Sequence, residues 1–82
     1  MEQTILNQET PNTTGIEDAI ALAGTQDLLS EALGVSQQAV SGWLKQGWTP
    51  LDRAIEIEAQ FGVPRARLVS PRIRSAFATV DL

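Results

Sequence analysis

The stretch TQDLLSEALGVSQQAVSGWLK, residues 25–45, decides the fold, because its apolar spacing fits two short helices meeting at a glycine and not one long helix. Thr25 is placed to cap the first helix, and Leu28, Leu29, Ala32 and Leu33 form its apolar stripe at i, i+1, i+4 and i+5. Gly34 ends that helix, since glycine accepts the left-handed backbone of a sharp exit; Val35 supplies an apolar plug and Ser36 a cap for the second helix. On the second helix Val40, Trp43 and Leu44 share one face, while Gln37, Gln38, Ser41, Gly42 and Lys45 share the other. That outer face is polar and nearly free of acid, a chemistry suited to base edges in a DNA groove.

Working outward, Thr14 and Glu17 form a T-x-x-E capping box for a helix over residues 15–23, with Ile16, Ala19, Ile20 and Ala23 at helical spacing up to Gly24. Gly47 terminates the helix expected over about 37–46. Thr49-Pro50 then restarts the chain, with threonine as cap, proline at the first helical position and Asp52 near the positive end of the dipole. The fourth helix runs to about Phe61 with Leu51, Ala54, Ile55, Ile57 and Phe61 as a wide stripe, closed by Gly62. Glu58 falls inside that stripe. It is read either as an ion pair with a downstream arginine or as an acid at the stripe's edge reaching solvent. Past Pro64 the run RARLV suits a short helical turn returning Leu68 to the core, and Ser70-Pro71 ends the regular structure. Beyond it, SAFATV is β-prone enough to pair with a second copy, yet Ile73, Phe77 and Val80 also suit a helix face. Both readings stay open. Trp43 is a packing residue, and Trp48 lids the core or touches the DNA backbone, the lid being favoured. Three segments follow: 1–14, a mobile N-terminal arm; 15–71, the domain; 72–82, a tail that offers dimer contacts.

The run GTQDLLSEALGVSQQAVSGWLKQGWTPLDRAIEIEAQFG resembles the helix-turn-helix of phage Cro-type repressors, and more narrowly the Cro/YdaS group of bacterial prophages. GVPRARLVSP resembles that group's C-terminal end more loosely. The resemblance implies an all-α, four- to five-helix bundle of lambda-repressor-like fold, whose helix after the turn is the recognition helix. It implies that Gln26 occupies the phosphate-contacting first position of the leading helix, and that Gln37, Gln38, Ser41 and Lys45 occupy the outward positions of the second. Ser30 departs from the alanine usual at the tight interhelical position, and is small enough to fit.

On their own chemistry, Gln37 and Gln38 present a donor and an acceptor side by side, which matches adenine in the major groove. Ser41 reaches a base or phosphate, Gly42 lets the backbone approach DNA, and Lys45 suits a phosphate. Thr25 and Gln26, like Ser36, stand at helix starts that favour phosphate. Arg53 is divided between a phosphate contact and a pair with Glu56 at i+3.

Composition sets the outer limits. Eighty-two residues, 43% hydrophobic, support one modest core. With no cysteine and no histidine, the usual transition-metal ligands and the commonest general base are missing. Neither an enzyme nor a cofactor is expected, since no serine has a histidine to activate it and no Gly-rich phosphate loop is present. The N-terminus carries neither a signal sequence nor an apolar span, so a cytoplasmic, nucleoid-associated protein is expected.

A net charge of −4 opposes DNA binding, but the charge is segregated. Residues 1–35 hold six acids and no base, whereas residues 36–82 hold six bases against four acids, with Arg65, Arg67, Arg72 and Arg74 close together. Those arginines extend a phosphate-binding surface or form a solvated face. The reading is a Cro-like transcriptional regulator, acting on a palindromic double-stranded operator as a homodimer; the alternative is a protein-interaction module such as an antitoxin or adaptor on the same scaffold.

Overall fold

Capping residues set the limits of the helices. A computed structural model of the chain describes residues 13–80, the side chains of 77–80 excepted. The expectations for residues 1–12, and for the side chains of Phe77 and Val80, lie outside that description. Helix α1, Gly15–Ala23, opens with the full capping box: the Glu17 N–H donates to Thr14 Oγ1 at 3.2 Å, and the Thr14 N–H donates to Glu17 Oε1 at 2.9 Å. Helix α2, Gln26–Leu33, starts with the Leu28 N–H on Thr25 Oγ1. It ends at Gly34 with φ of 70°, the left-handed exit that favours glycine. Helix α3, Gln37–Gln46, starts with the Ala39 N–H on Ser36 Oγ. Helix α4, Leu51–Phe61, a 3-10 turn, Arg65–Arg67, and helix α5, Pro71–Val80, complete the described chain, in which there is no strand. The result is a small all-α bundle, as expected.

The core gathers one or two residues from every element up to the 3-10 turn and its exit. Ile16 and Ala19 of α1 meet Leu29 and Leu33 of α2, Val40 and Trp43 of α3, and Ala54 and Ile57 of α4, with Val63, Leu68 and Val69 closing the open end. Leu68, Ile16, Leu29 and Ile57 are fully buried, each contributing roughly 1.5–3 kcal/mol. Ser30 is buried where α2 crosses its neighbours, and its hydroxyl donates to the Asp27 carbonyl at 2.7 Å, so the serine leaves no unsatisfied donor there.

Four expectations change. The regular structure does not end at Pro71, because Pro71 takes the first position of α5, where a missing N–H costs nothing, and Ser70 caps it through the Ile73 N–H. Thr49 does not cap α4. It is fully buried, its N–H donates to the Leu68 carbonyl at 2.7 Å, and Pro50 takes the cap position without a side-chain bond. Leu28, Leu51 and Ile55 lie on the outer rims of their helices and remain 37–48% exposed, since the core is too narrow to cover the full width of either stripe. Thr13 and Thr14 belong to the folded domain and not to the arm: Thr13 Oγ1 donates to Asp18 Oδ1 at 2.6 Å, and its carbonyl accepts from Arg67 Nη2 at 2.7 Å.

Arg67 completes that latch by pairing with Asp18, which ties the start of α1 to the 3-10 turn. The Thr13 hydroxyl, and after it the Arg67 guanidinium, hold the Asp18 carboxyl below its usual range. A carboxyl lowered by folding adds stability above its unfolded pKa and loses that stability as pH falls through the folded one. We therefore expect the melting temperature to fall on acidification below about pH 4, the ordinary aspartate range. Asp18→Asn should cost about 1 kcal/mol at neutral pH and flatten that acid limb in thermal unfolding followed by circular dichroism; an unchanged acid limb would assign the transition to other carboxylates.

Candidate nucleic-acid interface

Helix α3 turns Val40 and Trp43 inward, and this burial sets the opposite side outward. Gln37, Gln38, Ser41, Gly42, Lys45 and Gln46 are all exposed, and no carboxylate lies anywhere on the helix. Lys45 in the last turn suits the helix dipole, and the first turn, with no acid, leaves the positive end of that dipole uncompensated. At its far end Gln46 Nε2 donates to the Trp48 carbonyl at 2.9 Å, which shapes the loop into α4. Trp48 is half-buried, in keeping with a partial lid. A Cβ built on Gly42 meets nothing within 4 Å, so no packing requires glycine there.

Thr25 is exposed and Gln26 half-buried at the start of α2, while Ser36 is exposed at the start of α3. Each of these two helix starts leaves polar groups at least partly exposed. Arg53 is partly withdrawn. Its Nη1 pairs with Glu56 Oε1 at 2.9 Å, the i+3 partner anticipated from sequence, and also reaches the Leu33 carbonyl at 3.5 Å.

The downstream arginines do not form one free basic surface. Arg65 pairs with Glu58 at 2.6 Å, Arg67 with Asp18, and Arg74 Nε donates to the Ala66 carbonyl at 2.7 Å. Glu58 combines its two sequence readings: it is an ion pair, and it stands at the stripe's edge with its side chain 35% exposed. The Arg65 guanidinium lowers its pKa. These contacts fasten the C-terminal part of the domain to α1 and α4.

Gln46, Gln60 and Gly15 make structural contacts that no sequence motif marks. Gln46 two residues before Trp48 carries a faint loop signal; the other two carry none, because their partners are distant in sequence. Among the described residues no group of acids is placed to hold a metal ion, and no helix is long and apolar enough to cross a membrane.

Together these features define a small all-α bundle protein with one polar helix face left open after a glycine turn. The chain belongs to the family described as bacterial toxin YdaS, whose model matches residues 16–67. The matched span runs from Ile16 in α1 to Arg67 at the end of the 3-10 turn and contains all of α2, α3 and α4. No curated protein and no solved structure matches the chain significantly.

Proposed function

We propose that this protein is a sequence-specific DNA-binding regulator, a Cro-like repressor of prophage type, whose α2 and α3 form a helix-turn-helix. The observation that carries this reading is the outer face of α3: five polar or side-chain-free positions, Gln37, Gln38, Ser41, Gly42 and Lys45, exposed on a helix without a carboxylate. Gln37 and Gln38 read base edges, Ser41 and the open backbone at Gly42 follow the groove, and Thr25, Gln26, Ser36 and Lys45 contact the phosphates on either side. A single such helix reads few base pairs, so useful specificity needs two half-sites about one turn apart and therefore a homodimer on DNA. Occupation of the operator excludes polymerase.

Selection of bound sequences from random duplex DNA tests the reading, with a two-fold-symmetric site as the expected result. Lys45→Ala should weaken all sequences nearly alike and reduce the slope of log affinity against log salt by about one unit, because one phosphate contact releases about one counterion. Titrations at several salt concentrations measure this; a change confined to one base pair would instead make Lys45 a base reader.

A second reading, a toxin–antitoxin or adaptor component that binds a protein, draws on the family's description and on charge. Residues 13–35 carry Glu17, Asp18, Asp27 and Glu31 without a lysine or arginine. Failure to enrich any DNA sequence would favour it.

A further inference from the structure

The end of α2 raises a question of hydrogen-bond accounting, because the last four carbonyls of a helix have no partner within it. Here they belong to Ser30, Glu31, Ala32 and Leu33. The turn satisfies the first two: the Val35 N–H donates to the Ser30 carbonyl at 3.0 Å and the Gly34 N–H to the Glu31 carbonyl at 3.2 Å. For the next two the donors come from another helix. Gln60 Nε2 donates to the Ala32 carbonyl at 3.3 Å, and Arg53 Nη1 reaches the Leu33 carbonyl at 3.5 Å. Arg53 and Gln60 are seven residues apart on α4 and so share one face, and Glu56, on the same side, pairs with the same Arg53 Nη1 that reaches the Leu33 carbonyl.

We propose that Arg53 and Gln60 are positioning residues, which clamp the last two carbonyls of α2 and thereby set the exit direction of the turn and the aim of α3. The inference rests on the DNA-reading role given to α3 above. Only the turn 34–36 separates the clamped carbonyls from α3, so a small rotation at Leu33 passes directly into the helix that carries Gln37 and Gln38. The chain leaving the other end of α3 is anchored independently, through the Thr49 N–H on the Leu68 carbonyl. A helix held at both ends keeps its side chains within the tolerance that bidentate base contacts demand. Arg53 then serves recognition through the protein backbone and not through a phosphate.

The test uses the full chain with Gln60→Leu and Arg53→Met, singly and together, against the duplex enriched by selection and a scrambled duplex of the same composition. The double variant is expected to lose about tenfold in affinity for the selected duplex, the equivalent of two modest hydrogen bonds, and less than about twofold for the scrambled one. The salt slope stays that of the wild type, Arg53→Lys restores most of the preference, and amide residual dipolar couplings show α3 reoriented relative to α1. Gln60 is exposed, so its single variant keeps the fold and remains informative. A uniform loss for Arg53→Met with a salt slope lower by about one unit would make Arg53 a phosphate contact and overturn the proposal. So would unchanged couplings and preference in the double variant. If the wild type selects no sequence at all, the DNA reading fails and takes the recognition role of the clamp with it, while the couplings still report whether the clamp orients α3.

Discussion

Gly15→Ala is expected to lower the melting temperature by about 10–15 °C, a loss of about 2 kcal/mol, in thermal unfolding followed by circular dichroism. Helix propensity alone argues the opposite sign, since alanine is the better helix former by about 1 kcal/mol. Packing reverses it. A Cβ on Gly15 runs into the Arg67 carbonyl oxygen and lies 2.8 Å from the Arg67 carbonyl carbon and 3.1 Å from Leu68 Cδ2. Two of those atoms are backbone and cannot swing aside, so α1 must move away from the 3-10 turn and strain the Asp18–Arg67 latch. Gly42→Ala is the matched control: its Cβ meets nothing within 4 Å, so it should raise stability by up to about 1 kcal/mol. A Gly15→Ala protein as stable as the wild type would show that the α1 start does not approach Arg67 so closely in solution.

The largest effect on function is expected from Gln37→Ala and Gln38→Ala combined. Each good bidentate contact with a base contributes roughly 1–3 kcal/mol of discrimination, so the pair should reduce preference for the selected duplex over scrambled DNA by more than about tenfold. Affinity for scrambled DNA should change little, because neither side chain neutralises a phosphate. Both residues are exposed in the first turn of α3 and enter none of the packing described above, so the melting temperature should stay close to that of the wild type. Competition binding between the two duplexes measures the effect; retained wild-type preference would remove these residues from the reading set and turn attention to Ser41 and the helix starts.

Much of the local architecture was legible in the sequence because its causes are local. The capping box of Thr14 and Glu17, the caps Thr25 and Ser36 and the left-handed exit at Gly34 each close within three or four residues, so residue type and spacing are enough to place them. The two faces of α3 follow from the helical period in the same way. The end of the chain was less legible. Ser70-Pro71 reads equally well as a stop and as a helix start, and the structure takes the start.

By itself, then, the sequence determined where the first three helices begin and end, where α4 ends, which side of α3 is apolar, and that Leu68 returns to the core. The tertiary structure decided what depends on chain segments far apart: that Gly15 admits no side chain, that Thr49 is buried against Leu68 instead of capping α4, that Leu28 and Ile55 fall outside the core, and that Arg53 and Gln60 close the end of α2. Asp18 and Arg67 are 49 residues apart, Gln60 and Ala32 are 28 apart, and Arg53 and Leu33 are 20 apart. No helical period links positions at such distances. Their contacts exist only once burial of the shared core has fixed the angles between helices, because those angles decide which side chains and carbonyls come within hydrogen-bonding reach.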